Sequence, residues 1–327
     1  MTAVLGVDAG GTSTRAVLVD TDGRCLGYGR AGAGNPISAG MEHAASEILS
    51  AVTAAIRIAG LAATDVGPGI LAMAGSGVNP DAGWIRSALV GAGLSGDVEL
   101  RSDLLATFFS GTFEPDGYAL VAGTGAAGIR VRNGVVDLAA DGLGWLIGDV
   151  GSGYWIGARV VRDAVAALDG RAAPTALTGL LLDALGIEVG GKHADGRPAA
   201  LLAVTDAVYR LRPVELSRFA PLAFAAHGDD AATRILAEAA DALARLFGAV
   251  AMPGLVAPLV LGGSILAQDS VVATAVMTAA DASGLVSQIR QVDDGVVGAA
   301  VLALRSAGVP VDAAVFERIT GSLAGLR

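Results

Sequence analysis

Cysteine is nearly absent: Cys25 is the single one in 327 residues. That excludes an internal disulfide, and with it a Cys-ligated zinc or iron–sulfur site within one chain. Histidine is almost as scarce, and His43, His193 and His227 are spaced too widely for a metal-ligand pattern. Basic residues are outnumbered, 22 against 32 acidic, for a formal net charge of -10. A nucleic-acid partner needs a basic footprint, so none is expected. A small anionic ligand is compatible, because backbone N–H groups bind phosphate without net basic charge. Long apolar runs are missing too, since Gly, Asp, Arg or Pro interrupts each before it could span a bilayer. The first residues carry no basic segment, and Asp8 stands where an apolar signal sequence would continue. The expectation is a cytoplasmic protein without a membrane partner.

What is present is small and apolar. Hydrophobic residues make up 53%, and glycine contributes 47 positions. That is ample material for buried cores, and the length points to two domains. Residues 3–7, 15–19 and 24–29 read as strands joined by turns with Gly and Asp chemistry. Met41, Ala45, Ile48, Val52, Ile56 and Ala59 follow at helical spacing. A strand over 69–74, a helix over 82–90 and a strand over 98–101 complete this part.

Near residue 117 the pattern restarts. Residues 118–122, 128–131 and 135–139 read as strands, again with a Gly turn after the first. Two copies of strand, Gly turn, strand, turn, strand imply a duplicated architecture with a boundary near 114–117. Helices are predicted over 154–168, 177–185, 201–211 and 233–250, the last with Asp230 placed to cap its start. A late strand over 257–261 runs into a third Gly turn, and residues 186–198 read as a polar surface loop.

Two nucleotide motifs are decoys. Gly186, Gly191 and Lys192 begin a P-loop pattern, but His193 occupies the position of the Mg²⁺-binding hydroxyl and the loop follows a helix. Gly123, Gly125 and Gly128 spell a dinucleotide fingerprint, yet a strand hairpin follows instead of a helix. A better reading joins three turns: Asp8-Ala9-Gly10-Gly11-Thr12, Ala122-Gly123-Thr124-Gly125 and Leu261-Gly262-Gly263-Ser264. Glycine lets backbone N–H groups approach phosphate, and Thr12 and Thr124 add hydroxyl donors. Asp8, at a strand end, suits Mg²⁺ held through water.

This layout resembles the actin-like ATPase and sugar kinase superfamily. Within it the chain is most similar to the N-acetylglucosamine kinases grouped with the BadF/BadG/BcrA/BcrD-type ATPases. The resemblance is carried by residues 8–12 with Arg15, by Gly34-Asn35-Pro36, Ser102-Asp103, residues 122–125, the stretch 144–157 and residues 261–264. It implies an α/β fold of two actin-like (ribonuclease H-like) domains, 1–116 and 117–327, with an interdomain cleft and a last helix free to pack back on the first domain.

The resemblance also implies roles. ATP and Mg²⁺ would be the cofactors, and a small sugar the partner. Gly10, Gly11 and Thr12 would face the phosphates with Asp8 on the metal. Thr124 and Gly125 would close the opposite side, with Gly262, Gly263 and Ser264 against the adenosine and residues 295–298 flanking the nucleotide. Asp103 would be the general base and a sugar ligand, with Asn35 and Asp149 on sugar hydroxyls. Each has a plain alternative: Asp103 and Asp149 as helix caps, Asn35 as a loop residue before Pro36. Trp145, Tyr154 and Trp155 read as packing residues. Val150 departs from the family, where an acidic residue is frequent, which bears on the choice of sugar. The implied reaction is phosphoryl transfer from ATP to the 6-hydroxyl of N-acetylglucosamine. Glucosamine or another hexose is the alternative acceptor, and an ATPase activator without a sugar is a third reading. A homodimer is compatible with the resemblance.

Overall fold

A computed structural model describes residues 3–74, 83–94, 98–191 and 195–327. Lys192, His193 and Ala82, which figure in the decoy loop and in one predicted helix, lie outside these residues.

The first sheet is built from β1 (Ala3–Ala9), β2 (Thr14–Val19), β3 (Cys25–Ala31), β4 (Val66–Met73) and β5 (Val98–Ser102). Its order is β3-β2-β1-β4-β5. The opening meander is antiparallel, whereas β4 and β5 run parallel to β1. The second sheet contains β6 (Gly117–Ala122), β7 (Ala126–Arg132), β8 (Val135–Asp141), β9 (Ala257–Gly262) and β10 (Val286–Val292). Its order, β10-β9-β6-β7-β8, repeats the first with the same parallel and antiparallel pairings. The duplication read from the two meanders is therefore a duplication of whole sheets.

The helices are α1 (Pro36–Ala39), α2 (Met41–Ala59), α3 (Gly83–Gly91), α4 (Asp103–Gly111), α5 (Gly153–Leu168) and α6 (Ala176–Leu185). They continue with α7 (Ala199–Tyr209), α8 (Ala220–Ala225), α9 (Asp230–Val250), α10 (Val271–Ala282), α11 (Val296–Ser306) and α12 (Ala313–Ala324). Helix α2 turns Ala44, Ile48, Ala51, Val52 and Ala55 onto the first sheet and stops at Gly60, a left-handed cap with φ 66°. Helix α9 buries Ile235, Ala239, Leu243, Leu246 and Val250. Its cap is Asp229, whose carboxylate accepts from the Ala232 N–H at 3.0 Å; Asp230 is already helical. The sequence expectation was one residue late because both positions are Asp. Gly186 is the left-handed cap of α6, so the P-loop decoy begins at a helix end.

Helices α4 and α11 lie between the two sheets. One core joins Val4, Val17 and Ile70 of the first sheet to Phe108 and Phe109 of α4, Ala299 and Val301 of α11, and Ile129 and Val260 of the second sheet. Burying each large apolar side chain contributes about 1.5–3 kcal/mol. Helix α11 follows the second sheet in sequence yet packs on β1, so closely that a Cβ on Gly6 would sit 2.7 Å from the Ala299 backbone. Helix α12 continues onto β3: Ser322 Oγ accepts from the Cys25 N–H at 2.9 Å, and Arg318 Nε donates to the Asp22 carbonyl at 2.6 Å. The last helix thus packs back on the first sheet. Strand β10 was not foreseen, because its polar, half-exposed sequence VSQIRQV has the pattern of an edge strand rather than of a core run. Among the described residues no helix is long and apolar enough to cross a membrane.

Candidate active site

The first turn follows β1. The Gly10 N–H donates to the Ser13 carbonyl at 3.0 Å, which folds the chain back into β2 and leaves Gly11 and Thr12 exposed. The Gly10 carbonyl in turn accepts from the Gly34 and Asn35 N–H groups at 3.1 and 3.2 Å. Asn35 is buried, so the turn and the Gly-Asn-Pro segment form one unit.

Asp8 sits at the base of this unit, buried, as the penultimate residue of β1 before the loop. Its Oδ2 accepts from the Gly295 N–H at 3.0 Å, and Arg15 Nη1 is 3.7 Å away. Burial raises its pKa to about 6. The Gly295 bond opposes the rise, Asp294 adds to it, Arg15 opposes it, and Asp103 adds to it. Asp103 therefore shares the electrostatic field of Asp8, from the start of α4. Its own pKa is raised by burial, against the N–H bonds of Leu104 and of Asp103 itself. Asp103 Oδ1 accepts from the Leu104 N–H at 2.9 Å, but the N-cap of α4 is Ser102, whose Oγ accepts from the same group at 3.2 Å. The capping alternative for Asp103 is thus largely taken by its neighbour.

No hydrogen bond to Asp8 Oδ1 occurs among the described residues. Among them no buried side-chain polar atom lacks a partner, which leaves Oδ1 in reach of solvent. One free carboxylate oxygen fits Mg²⁺, which keeps most of its waters and takes further ligands from phosphates. No cluster of three or more His, Cys, Asp or Glu side chains disposed to hold a metal occurs among the described residues.

The second and third turns meet. Between β6 and β7 the Gly123 N–H donates to the Gly125 carbonyl at 2.9 Å. After β9 the chain turns through Gly263 at φ 80°, and a Cβ there would lie 2.5 Å from the Ala122 carbonyl. The Ile265 N–H donates to that carbonyl at 2.8 Å. Thr124 and Ser264 then share a groove of about 480 Å³. Its lining is largely apolar, with Ala220, Pro221, Phe224 and Ile265, and includes Gln268 and Asp269. An apolar slot with a few polar groups suits a flat heteroaromatic ring and its sugar.

Asp149 follows the second turn in sequence and packs against it. Its Oδ1 accepts from the Ala126 N–H at 3.0 Å, and its carboxylate oxygens lie 2.9 and 3.0 Å from where a Gly125 Cβ would be. Burial raises its pKa, with the Ala126 bond opposing and Asp141 adding. Its backbone is left-handed, φ 59°, a strained conformation for a non-glycine residue that often marks a functional position. Asp141 holds it there, accepting from the Asp149 N–H at 2.8 Å. The Val150 side chain is exposed, as are Leu143, Leu146 and Ile147 on the preceding loop.

Sequence reasoning missed the groove wall on α8 and the start of α10, and it missed Asp141, Asp294 and Arg327. The Asp294-Gly295 pair before an apolar run was a helix-start signal. The others carried none: Asp141 acts on a residue eight positions on and Arg327 on one 33 positions back, and no periodicity or motif marks either pair.

Comparison with known proteins places this geometry among ATP-using enzymes. The model of the BadF/BadG/BcrA/BcrD ATPase family matches residues 5–303. An N-acetyl-D-glucosamine kinase of Dictyostelium discoideum is 30% identical over 263 residues, 75% of this chain and 78% of that protein. The glucosamine kinase GspK of Vibrio cholerae is 28% identical over 170 residues, 52% of this chain and 57% of that protein. A solved Chromobacterium violaceum structure, provisionally named an N-acetylglucosamine kinase, superposes with a TM-score of 0.70 at 28% identity, covering 93% of this chain and 99% of that one. A Streptomyces griseus ROK family glucokinase, in complex with glucose and AMPPNP, shares the fold at a TM-score of 0.51 and 18% identity, covering 93% and 99%.

Proposed function

The chain belongs to the BadF/BadG/BcrA/BcrD ATPase family, and from that membership we propose that it is an ATP-dependent amino-sugar kinase acting on the 6-hydroxyl of N-acetylglucosamine. One observation carries the reading. Asp8 and Asp103 stand at the same end of the parallel strands β1 and β5 of the first sheet, while two abutting glycine turns border an apolar groove on the second. The relatives named as N-acetylglucosamine and glucosamine kinases supply the substrate class.

In this reading the groove beside Gly262, Gly263 and Ser264 receives the adenosine. The turn at Gly10, Gly11 and Thr12 faces the phosphates with Thr124 and Gly125 on the opposite side, the Gly10 N–H serving to hold that turn on the Ser13 carbonyl. Asn35 and Asp149 orient the sugar. Asp103 accepts the hydroxyl proton as that oxygen takes the γ-phosphoryl group; such general-base assistance is worth about 10²–10⁴ in rate. Asp8 holds the cation, and Mg²⁺ when bound neutralises charge on the transferring phosphoryl group. The two proposed domains, 1–116 and 117–327, would close on the sugar and limit hydrolysis. A cytoplasmic location belongs to the proposal and is supported by the need for ATP. A homodimer belongs to the proposal as well, and sedimentation at micromolar concentration tests it.

An ATPase activator bridged by an iron–sulfur cluster fits poorly. Cys25 is buried against α12, and burial raises its thiol to about 11, whereas cluster ligands are thiolates. The decisive experiment is a coupled ADP-release assay with Mg²⁺ and ATP across acetylated and free amino sugars and glucose. Turnover that requires an amino sugar supports the proposal. ATP turnover indifferent to every sugar refutes it.

A further inference from the structure

Asp8 is gripped by residues from the far end of the chain. Gly295, whose N–H holds Oδ2, is 287 residues away in sequence. Arg15 reaches the same oxygen with Nη1 and turns its Nε to Asp294 Oδ2 at 3.1 Å. Arg327 Nη2 then spans both Asp294 oxygens at 2.8 Å, and the Val296 N–H donates to Asp294 Oδ1 at 3.2 Å. The result is an alternating row: Asp8, Arg15, Asp294, Arg327. The Asp294 side chain is only 7% exposed, so its ion pairs are weakly screened by water.

The row ends on the candidate metal residue, and each member limits the next. Arg327 and the Val296 N–H fix the plane of the Asp294 carboxylate. Asp294 fixes the Arg15 guanidinium. Arg15 and Gly295 together occupy Oδ2 of Asp8 and leave Oδ1 outward. Docking of α12 does not require this row, since Ser322 and Arg318 fasten the helix to β3 and its approach independently.

We propose that Asp294 and Arg327 are positioning residues for the metal–nucleotide site, orienting the Asp8 carboxylate through Arg15. The inference rests on the kinase reading above. Partners behind a metal-binding carboxylate typically change metal affinity about 10–100-fold when removed.

The test is titration of the full chain with a fluorescent N-methylanthraniloyl ADP, with Mg²⁺ and with chelator, for wild type, Arg327→Ala, Arg327→Lys and Asp294→Asn. Arg327→Ala should weaken the Mg²⁺–nucleotide complex about tenfold and leave metal-free nucleotide binding within about twofold. Arg327→Lys should restore part of the loss. Asp294→Asn keeps an acceptor for the Val296 N–H while weakening the hold on Arg15, and should give the same metal-selective loss. It stands in if Arg327→Ala does not fold, as checked by thermal unfolding. Equal weakening with and without metal, or no weakening in folded variants, overturns the proposal. Wild type that binds the nucleotide equally with and without Mg²⁺ overturns it while sparing the nucleotide site. Wild type that binds no nucleotide at all removes the kinase reading and this inference together.

Discussion

Replacing Asp103 by Asn separates catalysis from folding at one atom. The Asn side chain keeps an Oδ1 acceptor for the Leu104 N–H, now 2.9 Å away, and Ser102 Oγ still accepts from the same group at 3.2 Å. Helix α4 therefore keeps its cap, whose loss would cost about 0.5–2 kcal/mol. What disappears is the negative charge and its capacity to take a proton. Losing general-base assistance of about 10²–10⁴ raises the barrier by about 2.7–5.4 kcal/mol at 1.36 kcal/mol per decade. Stability moves the other way. The raised pKa of Asp103 means that folding disfavours the ionised form. A carboxyl group raised on folding contributes stability below its unfolded pKa and loses it as pH rises through the folded one. Wild type should thus lose stability relative to the Asn variant as pH climbs from the ordinary value of 3.8 through the raised one. The assays are coupled ADP release with saturating N-acetylglucosamine and urea unfolding at several pH values. A variant that turns over within about tenfold of wild type refutes Asp103 as the base. A folded-state loss of more than about 1 kcal/mol at neutral pH shows that the carboxylate is structural after all.

Other outcomes follow from the same geometry. Because Asp103 must be ionised to accept a proton, its raised pKa should shift the acid limb of kcat/KM above the ordinary carboxylate range of 3.8; a limb at or below that value contradicts the assignment. Gly263→Ala puts a Cβ 2.5 Å from the Ala122 carbonyl at a φ of 80°, and should cost about 2 kcal/mol or more in chemical unfolding and weaken nucleotide binding. Asp149→Ala leaves the Ala126 N–H without its acceptor and should cost about 1–3 kcal/mol, whereas Asp149→Asn should hold stability and raise the sugar KM. Unchanged sugar KM in the Asn variant would make Asp149 a scaffold for the second turn only. Small-angle scattering should show compaction with sugar and nucleotide together; an unchanged radius of gyration argues against domain closure.

The elements themselves were legible because they depend on neighbours in the chain. Apolar runs broken by Gly and Asp fix strands and hairpins, and three- and four-residue spacing fixes helices such as α2 and α9. The two meanders announced a duplication before any sheet was seen. Strand β10 escaped because an edge strand needs no apolar alternation. Asp229 replaced Asp230 as a cap because adjacent aspartates offer the same chemistry one residue apart, and only the backbone angles choose between them.

By itself the sequence determined the residue types of the site: glycine turns at strand ends, and carboxylates next to them. Tertiary structure alone decided which turns meet and which carboxylate serves which neighbour. The second and third turns abut because β6 and β9 are paired. Asp149 lies against Gly125, with Ala126 as its donor. Asp8 is held by Gly295 and by Arg15, which Asp294 and then Arg327 back, because α11 and the segment after α12 return to the first sheet. Contacts such as Asp149 with Ala126 and Asp8 with Gly295 join positions 23 and 287 residues apart, and local periodicity holds no record of them. They follow from the order in which the strands assemble and from where two helices find an uncovered apolar face.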